Sequence, residues 1–350
     1  MSALAIRRTL ALAASVVGVG GGASVGEAQP LFRSTSPLEV TLTTNLRDLM
    51  RERDSTRLRW FGAEMRYTDE TGAAVRVPVE LRARGHFRRQ SSNCAFPPLF
   101  LRAERAVRDS SILRGNPRVK IVTPCRTGSG DYQQYIFTEY QVYQTYALID
   151  SVHHRTRLAA ITYVDSAARV RPITVYAFFL EVADEVADEH ELEHVEQPGV
   201  TWEFTLTEPI NALSLFQYWI GNTDWSVAGL HNVAMFRTPD RMFRPVAYDF
   251  DWTGVVNPRY AFPNPRLGLS GMRERRHRGP CRTAAQWAPT VALFQRLRPA
   301  IDSIWSTPLP GQDARTLANA KRFLDQLWPV LDDPRAFKRE LIDQCQPEGN

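Results

Sequence analysis

Residues 221–254 read GNTDWSVAGLHNVAMFRTPDRMFRPVAYDFDWTG, and they place Asp224, Asn232, Asp249 and Asp251 around two apolar runs. The runs, 233–236 and 242–248, alternate as paired strands do, and Thr238-Pro239-Asp240-Arg241 supplies the turn between them. A carboxylate and an amide before a hairpin, with two carboxylates after it, can converge at one end of the strand pair. Hard divalent cations take oxygen ligands from such side chains. Phosphoryl-transfer sites use this order: a base Asp, then a metal-binding Asn, then a metal-binding Asp.

The chain around this stretch has 350 residues. Residues 1–28 read as a signal peptide, with Arg7 and Arg8 before an apolar run too short to span a bilayer. Gly26-Glu27-Ala28 offers small residues for cleavage after Ala28. No later run is long and apolar enough for a membrane span, so the expected protein is exported to the periplasm, cell envelope or exterior. The apolar fraction of 43% supports a packed globule. A net charge of +5, with no basic helix interleaved with aromatics, argues against nucleic acid as a partner. The basic run 273–278 reads as a solvated loop. Four cysteines in an oxidising compartment suggest two disulfides. Of the three connectivities, Cys94–Cys125 with Cys281–Cys345 is favoured, because each pair then lies within one half of the chain.

Outward from the hairpin, the elements change character once. Strands are expected at 38–43, 59–67, 75–84, 98–102, 118–122, 158–164 and 173–180. A helix spans 132–150, where aromatic and apolar residues recur at helical spacing. The acidic segment 181–196 reads as a helix or an exposed linker. Helices follow at 210–220, 283–305, 313–331 and 334–345. The expected fold class is α+β. Residues 29–180 would form a β-rich N-lobe, and residues 181–350 a mainly helical C-lobe carrying the hairpin.

Four places resemble the CotH family of atypical, secreted or spore-coat protein kinases. They are Leu81-Arg82-Ala83-Arg84-Gly85, the strand ITVYAFFLE at 173–181, Gly221-Asn222-Thr223-Asp224 with His231-Asn232, and Tyr248-Asp249-Phe250-Asp251. The resemblance implies a two-lobed protein-kinase-like fold, ATP with Mg²⁺ or Mn²⁺, and transfer of the γ-phosphate to a hydroxyl, expected to be Ser or Thr of a protein. It implies nucleotide contacts from Arg84 and from Glu181 as a hinge residue.

Lysine usage adds a separate clue. Of 43 basic residues only Lys120, Lys321 and Lys338 are lysines. Lys120 sits in the strand 118–122, where a compact ammonium suits nucleotide phosphates. Glu139 is the only acid between Tyr132 and Leu148, on the aromatic helix, and a carboxylate facing a packed interior needs a cation. Lys120 is the expected partner. The catalytic set is then Asp224 as base with Lys120 and Glu139, and the metal set is Asn232, Asp249 and Asp251.

Two alternatives stand beside this. The bulky His86 and Phe87 after Gly85, and the eight-residue gap from Asp224 to Asn232, suit a catalytically inactive kinase-like module that binds a partner in the cell envelope. The pattern His190-Glu191-Leu192-Glu193-His194 would hold zinc as a hydrolase if it lay on one helix.

Overall fold

The structure is a computed structural model and describes residues 30–54, 56–57 and 59–346. The signal-peptide expectation for residues 1–28 therefore lies outside the described residues.

Seven strands form the first half: β1 (Leu38–Thr44), β2 (Phe61–Thr68), β3 (Ala74–Ala83), β4 (Leu99–Arg102), β5 (Arg118–Val122), β6 (Thr156–Asp165) and β7 (Ile173–Glu181). The β2–β3 turn closes because the Asp69 carboxylate accepts from the Thr71 and Ala73 amides, both at 2.9 Å, while Gly72 takes a φ of 85°. Alternate residues of β3, namely Val77, Val79 and Leu81, point inward and meet Leu42, Ile121 and Ile161 in one apolar core.

Helices α1 (Leu46–Arg51) and α2 (Arg105–Arg108) lie in connections, and α3 (Gly130–Ile149) separates β5 from β6. Downstream come α4 (Ala183–Glu189), β8 (Glu193–Val195), α5 (Thr207–Trp219), β9 (Val233–Arg237) and β10 (Phe243–Ala247). The chain then runs through α6 (Ala284–Ser306), α7 (Ala314–Leu324), α8 (Trp328–Asp332), α9 (Pro334–Phe337) and a π-helical turn at Lys338–Ile342. Strands β10, β9 and β8 form a small antiparallel sheet in that order, so the predicted hairpin is present.

The global arrangement differs from the expectation. The seven strands close into a mixed barrel, β1-β2-β3-β4-β5-β7-β6. Closure comes from β1 lying parallel to β6, from Leu38 beside Ala159 to Thr44 beside Asp165, while it also pairs antiparallel with β2. Helix α3 is then buried on nearly all sides, between β6 and β7 and the helices α6 and α7. Its polar side chains bond across these contacts. Gln141 Nε2 donates to the Ile304 carbonyl at 3.0 Å, and Trp305 Nε1 donates to Thr145 Oγ1 at 3.0 Å. One core runs from α3 and β7 into α5–α9 without a break. The two-lobed protein-kinase-like fold, a β-rich N-lobe against a mainly helical C-lobe, is therefore not the architecture. The strand periods were read correctly, but period does not reveal which strands pair.

Both expected disulfides form, Cys94–Cys125 and Cys281–Cys345. They are compatible with a secreted protein. Among the described residues, no helix is long and apolar enough to cross a membrane.

Candidate active site

The loops at the two ends of the opening stretch are stitched together. Gly254 N–H donates to the Gly221 carbonyl at 3.0 Å, and Val255 N–H to the Ile220 carbonyl at 3.1 Å. A Cβ on Gly254 would meet the Met272 carbonyl oxygen at 2.5 Å, so only glycine permits this approach. The Asp224 loop is further clamped by Arg278, whose Nη1 donates to the Trp225 carbonyl at 2.9 Å. Arg275 donates to the Trp219 carbonyl at 2.9 Å and lies 3.8 Å from the Phe323 ring centroid. The basic run 273–278 thus braces the site where a solvated loop was expected.

These constraints bring Asp224, Asn232 and Asp249 together. Asn232 Nδ2 donates to the Asp224 carbonyl at 2.6 Å and to Asp224 Oδ2 at 3.2 Å. The Asn232 carbonyl accepts from Tyr248 N–H at 3.1 Å, which sets Asp249 beside it. Asn232 and Asp249 both hold left-handed backbone, with φ of 53° and 61°. Such conformations in non-glycine residues gather at functional sites. Tyr143 of α3 accepts the Asp249 N–H at 2.8 Å, and Tyr146 accepts the Ala247 N–H at 3.2 Å, so the central helix pins the end of β10.

Asp224 is partly exposed, with its other oxygen 2.9 Å from His231 Nε2. That hydrogen bond raises the His231 pKa. Asp251 is buried, and burial followed by the Asp249 charge raises its carboxyl to about 7. Its Oδ2 accepts from Tyr260 Oη at 3.0 Å and lies 3.8 Å from Arg88 Nη1. Glu139 is buried too. Desolvation, then Asp251 and Asp249, raises its pKa well above the usual range, and Arg88 and Arg84 oppose the rise.

The expected Lys120–Glu139 ion pair is absent. Lys120 makes no ion pair among the described residues, and its ammonium packs 4.7 Å from the Tyr248 ring centroid. Burial, then the Arg84 charge, lowers its pKa to about 8, and Asp249 opposes that. Arg84 likewise has no acid partner, and its Nε is buried without a hydrogen bond. The cations that act on Glu139 are Arg88 and Arg84, which follow β3 in the chain, a relation that helix periodicity does not reveal.

Glu181 behaves differently from the other predicted residues. Its carboxylate is buried and held by Arg155, with Nε at 3.0 Å from Oε1 and the Arg155 N–H at 3.1 Å from Oε2. That side chain is committed to the fold. The residues beyond it, Val182 to Asp184, instead line a cavity of about 300 Å³ between the barrel and the small sheet. Lys120, Leu230, Met235 and Tyr248 line it as well.

The His190–His194 pattern does not lie on one helix. α4 ends at Glu189, Glu191 takes a φ of 56°, and His194 lies in β8 with Nδ1 2.7 Å from Asp184 Oδ1. Among the described residues no three His, Cys, Asp or Glu side chains form a ready-made metal cluster. The oxygen set on offer is the Asp249 and Asp251 carboxylates with the Asn232 amide oxygen. That set suits a hard cation, since two carboxylates this close repel until a cation neutralises them.

Sequence reasoning missed Arg88, Tyr143, Tyr260 and His154. Tyr143 and Tyr146 were visible as one stripe of α3, but the stripe signalled packing. Arg88 was hidden among the many arginines. No protein-family model and no curated protein sequence matches the chain.

Proposed function

We propose that the protein transfers the γ-phosphate of ATP to a hydroxyl, with a divalent cation, as its resemblance to the CotH kinases implies. One observation supports this most. Among the described residues Lys120, which lines the cavity, and Arg84 have no acid partner, yet both feel the charge of Asp249, which in turn acts on Asp251. Buried cations without a partner call for an anion, and clustered carboxylates call for a cation; a nucleotide phosphate chain with its metal supplies both. The segment Val182 to Asp184 and the apolar wall at Leu230 and Met235 would take the base.

Asp224 would accept the proton of the attacking hydroxyl as its oxygen bonds to the γ-phosphorus and the bond to ADP breaks. His231 holds the carboxylate in place and leaves it open to solvent on the acceptor side. Asn232, Asp249 and Asp251 would hold Mg²⁺ or Mn²⁺, which neutralises phosphate charge when bound. Export to the periplasm, envelope or exterior, and a protein Ser or Thr as acceptor, belong to this proposal.

The test is transfer of radiolabelled γ-phosphate from Mg-ATP to a Ser/Thr peptide library. Asp224→Ala and Asp249→Ala are each expected to reduce transfer by about 100-fold or more. Transfer that survives both substitutions would end this reading.

Arg88 favours a second reading. Its guanidinium and the Tyr260 hydroxyl both address Asp251 Oδ2, where a metal would bind. Phe87 packs edge-on against Trp252 at 5.2 Å, so the loop after Gly85 braces the acids and leaves no open phosphate cradle. On this reading the chain binds a nucleotide without transferring phosphate, and calorimetry would find ATP binding unchanged by Mg²⁺.

A further inference from the structure

His154 lies in the loop between α3 and β6 and is 2% exposed. Its Nδ1 is 3.1 Å from the Glu181 carbonyl oxygen. A carbonyl only accepts, so Nδ1 carries the proton and Nε2 presents a lone pair. That Nε2 is buried and has no hydrogen-bond partner. The ring is held at a 65° angle to Tyr248, centroids 5.5 Å apart, and His154 lines the same cavity as Lys120 and residues Val182 to Asp184.

Lys120, His153 and His194 act on the ring's charge, and the Tyr248 ring packs against it. The acids lining the same cavity are Asp184, which is bonded to His194 and Arg118, and Glu196; neither bonds the His154 imidazole. Burial, then the Lys120 charge, lowers the ring pKa to about 3, so it remains a neutral acceptor. A buried acceptor without a donor is costly, and native structures rarely leave one without a use. Ionised phosphate oxygens also only accept, so they cannot satisfy it. Lys120, with the Arg84 charge acting on it, marks the phosphate end of the cavity instead.

Resting on the phosphotransfer reading above, we infer that His154 Nε2 reads the nucleobase by accepting a hydrogen bond from its exocyclic amine. The cavity thereby selects a 6-amino purine over a 6-keto purine, which would set a carbonyl oxygen against the lone pair. Val182, Leu230 and Met235 supply the apolar faces that hold a flat ring in place.

Calorimetric titration of the whole chain with ATP, inosine triphosphate and 2′-deoxy-ATP tests this. ATP is expected to bind about tenfold or more tightly than inosine triphosphate, with 2′-deoxy-ATP close to ATP. His154→Leu and His154→Phe should bring the ATP to inosine triphosphate ratio near one, and His154→Gln, which keeps an oxygen acceptor, should retain part of it. Equal wild-type affinity for the two purines overturns the assignment, as does a ratio that survives both apolar variants. A loss that follows the missing 2′-hydroxyl instead of the amine overturns it as well. Equal phosphate transfer from ATP and inosine triphosphate would sink this inference and leave the phosphotransfer reading standing. Absence of any nucleotide binding would sink both.

Discussion

Lys120 carries its charge without an acid beside it, in a chain that uses arginine almost everywhere else. Its pKa of about 8 gives a testable pH profile. On the proposed phosphotransfer reading the ammonium holds phosphate, so ATP affinity is expected to hold below pH 8 and to fall as pH rises through it. Lys120→Arg should flatten the fall, because a guanidinium stays charged, and Lys120→Met should weaken binding at every pH by about tenfold or more. Titrations from pH 6.5 to 9.5 check this, and a flat wild-type profile refutes it. At this scale the sequence was informative where a residue type was rare or its spacing distinctive. Lys120, Asp224, Asn232, Asp249 and Asp251 all reached one region. Glu139 was placed correctly in the interior, but the Lys120 ion pair expected for it does not form, because which cations reach a buried acid depends on contacts between distant segments. Glu181 was expected as a hinge contact to nucleotide, but Arg155 occupies its side chain.

Elements were legible where a single period governed them. The hairpin β9–β10, the strands β2 and β3, and helix α3 all lie within a few residues of their expected bounds. The acidic segment was not legible, since a short helix, a left-handed Glu191 and a three-residue strand share it. Its helix α4 carries a buried acid, Glu185, whose Oε1 accepts the Arg118 N–H at 3.3 Å and whose Oε2 has no partner. Burial raises the Glu185 carboxyl from its ordinary 4.5 to about 7. Between those values the folded chain holds a proton that the unfolded chain has released, so stability falls as pH rises through the window. The loss is on the order of 2 kcal/mol, discounted for residual solvent contact. Glu185→Gln should raise the melting temperature at pH 8 more than at pH 4.5. Equal shifts at the two pH values would show that the carboxyl titrates normally.

For the whole molecule, the decisive fact is barrel closure by β1 on β6, together with a core that α3 shares with both halves. Local patterns cannot register either one, because both depend on contacts between residues far apart in the chain. The cysteines were legible because each pair was read as lying within one half, and the two disulfides follow that reading. These facts predict how the chain unfolds. Residues of α3 such as Ile136, Tyr143 and Tyr146 belong to the core that α5, β10 and α6 complete, and neither half can bury them alone. Unfolding should therefore be one cooperative transition, with equal calorimetric and van't Hoff enthalpies. The Cys281–Cys345 bridge spans 64 residues and Cys94–Cys125 spans 31, so chain entropy predicts losses of about 4 kcal/mol each on removal, slightly more for the longer loop. Because the core is shared, Cys94→Ser with Cys125→Ser should lower the single melting transition as a whole and leave it undivided. Two separated transitions, one of them untouched by that double substitution, would show that the halves fold independently and that α3 does not join them.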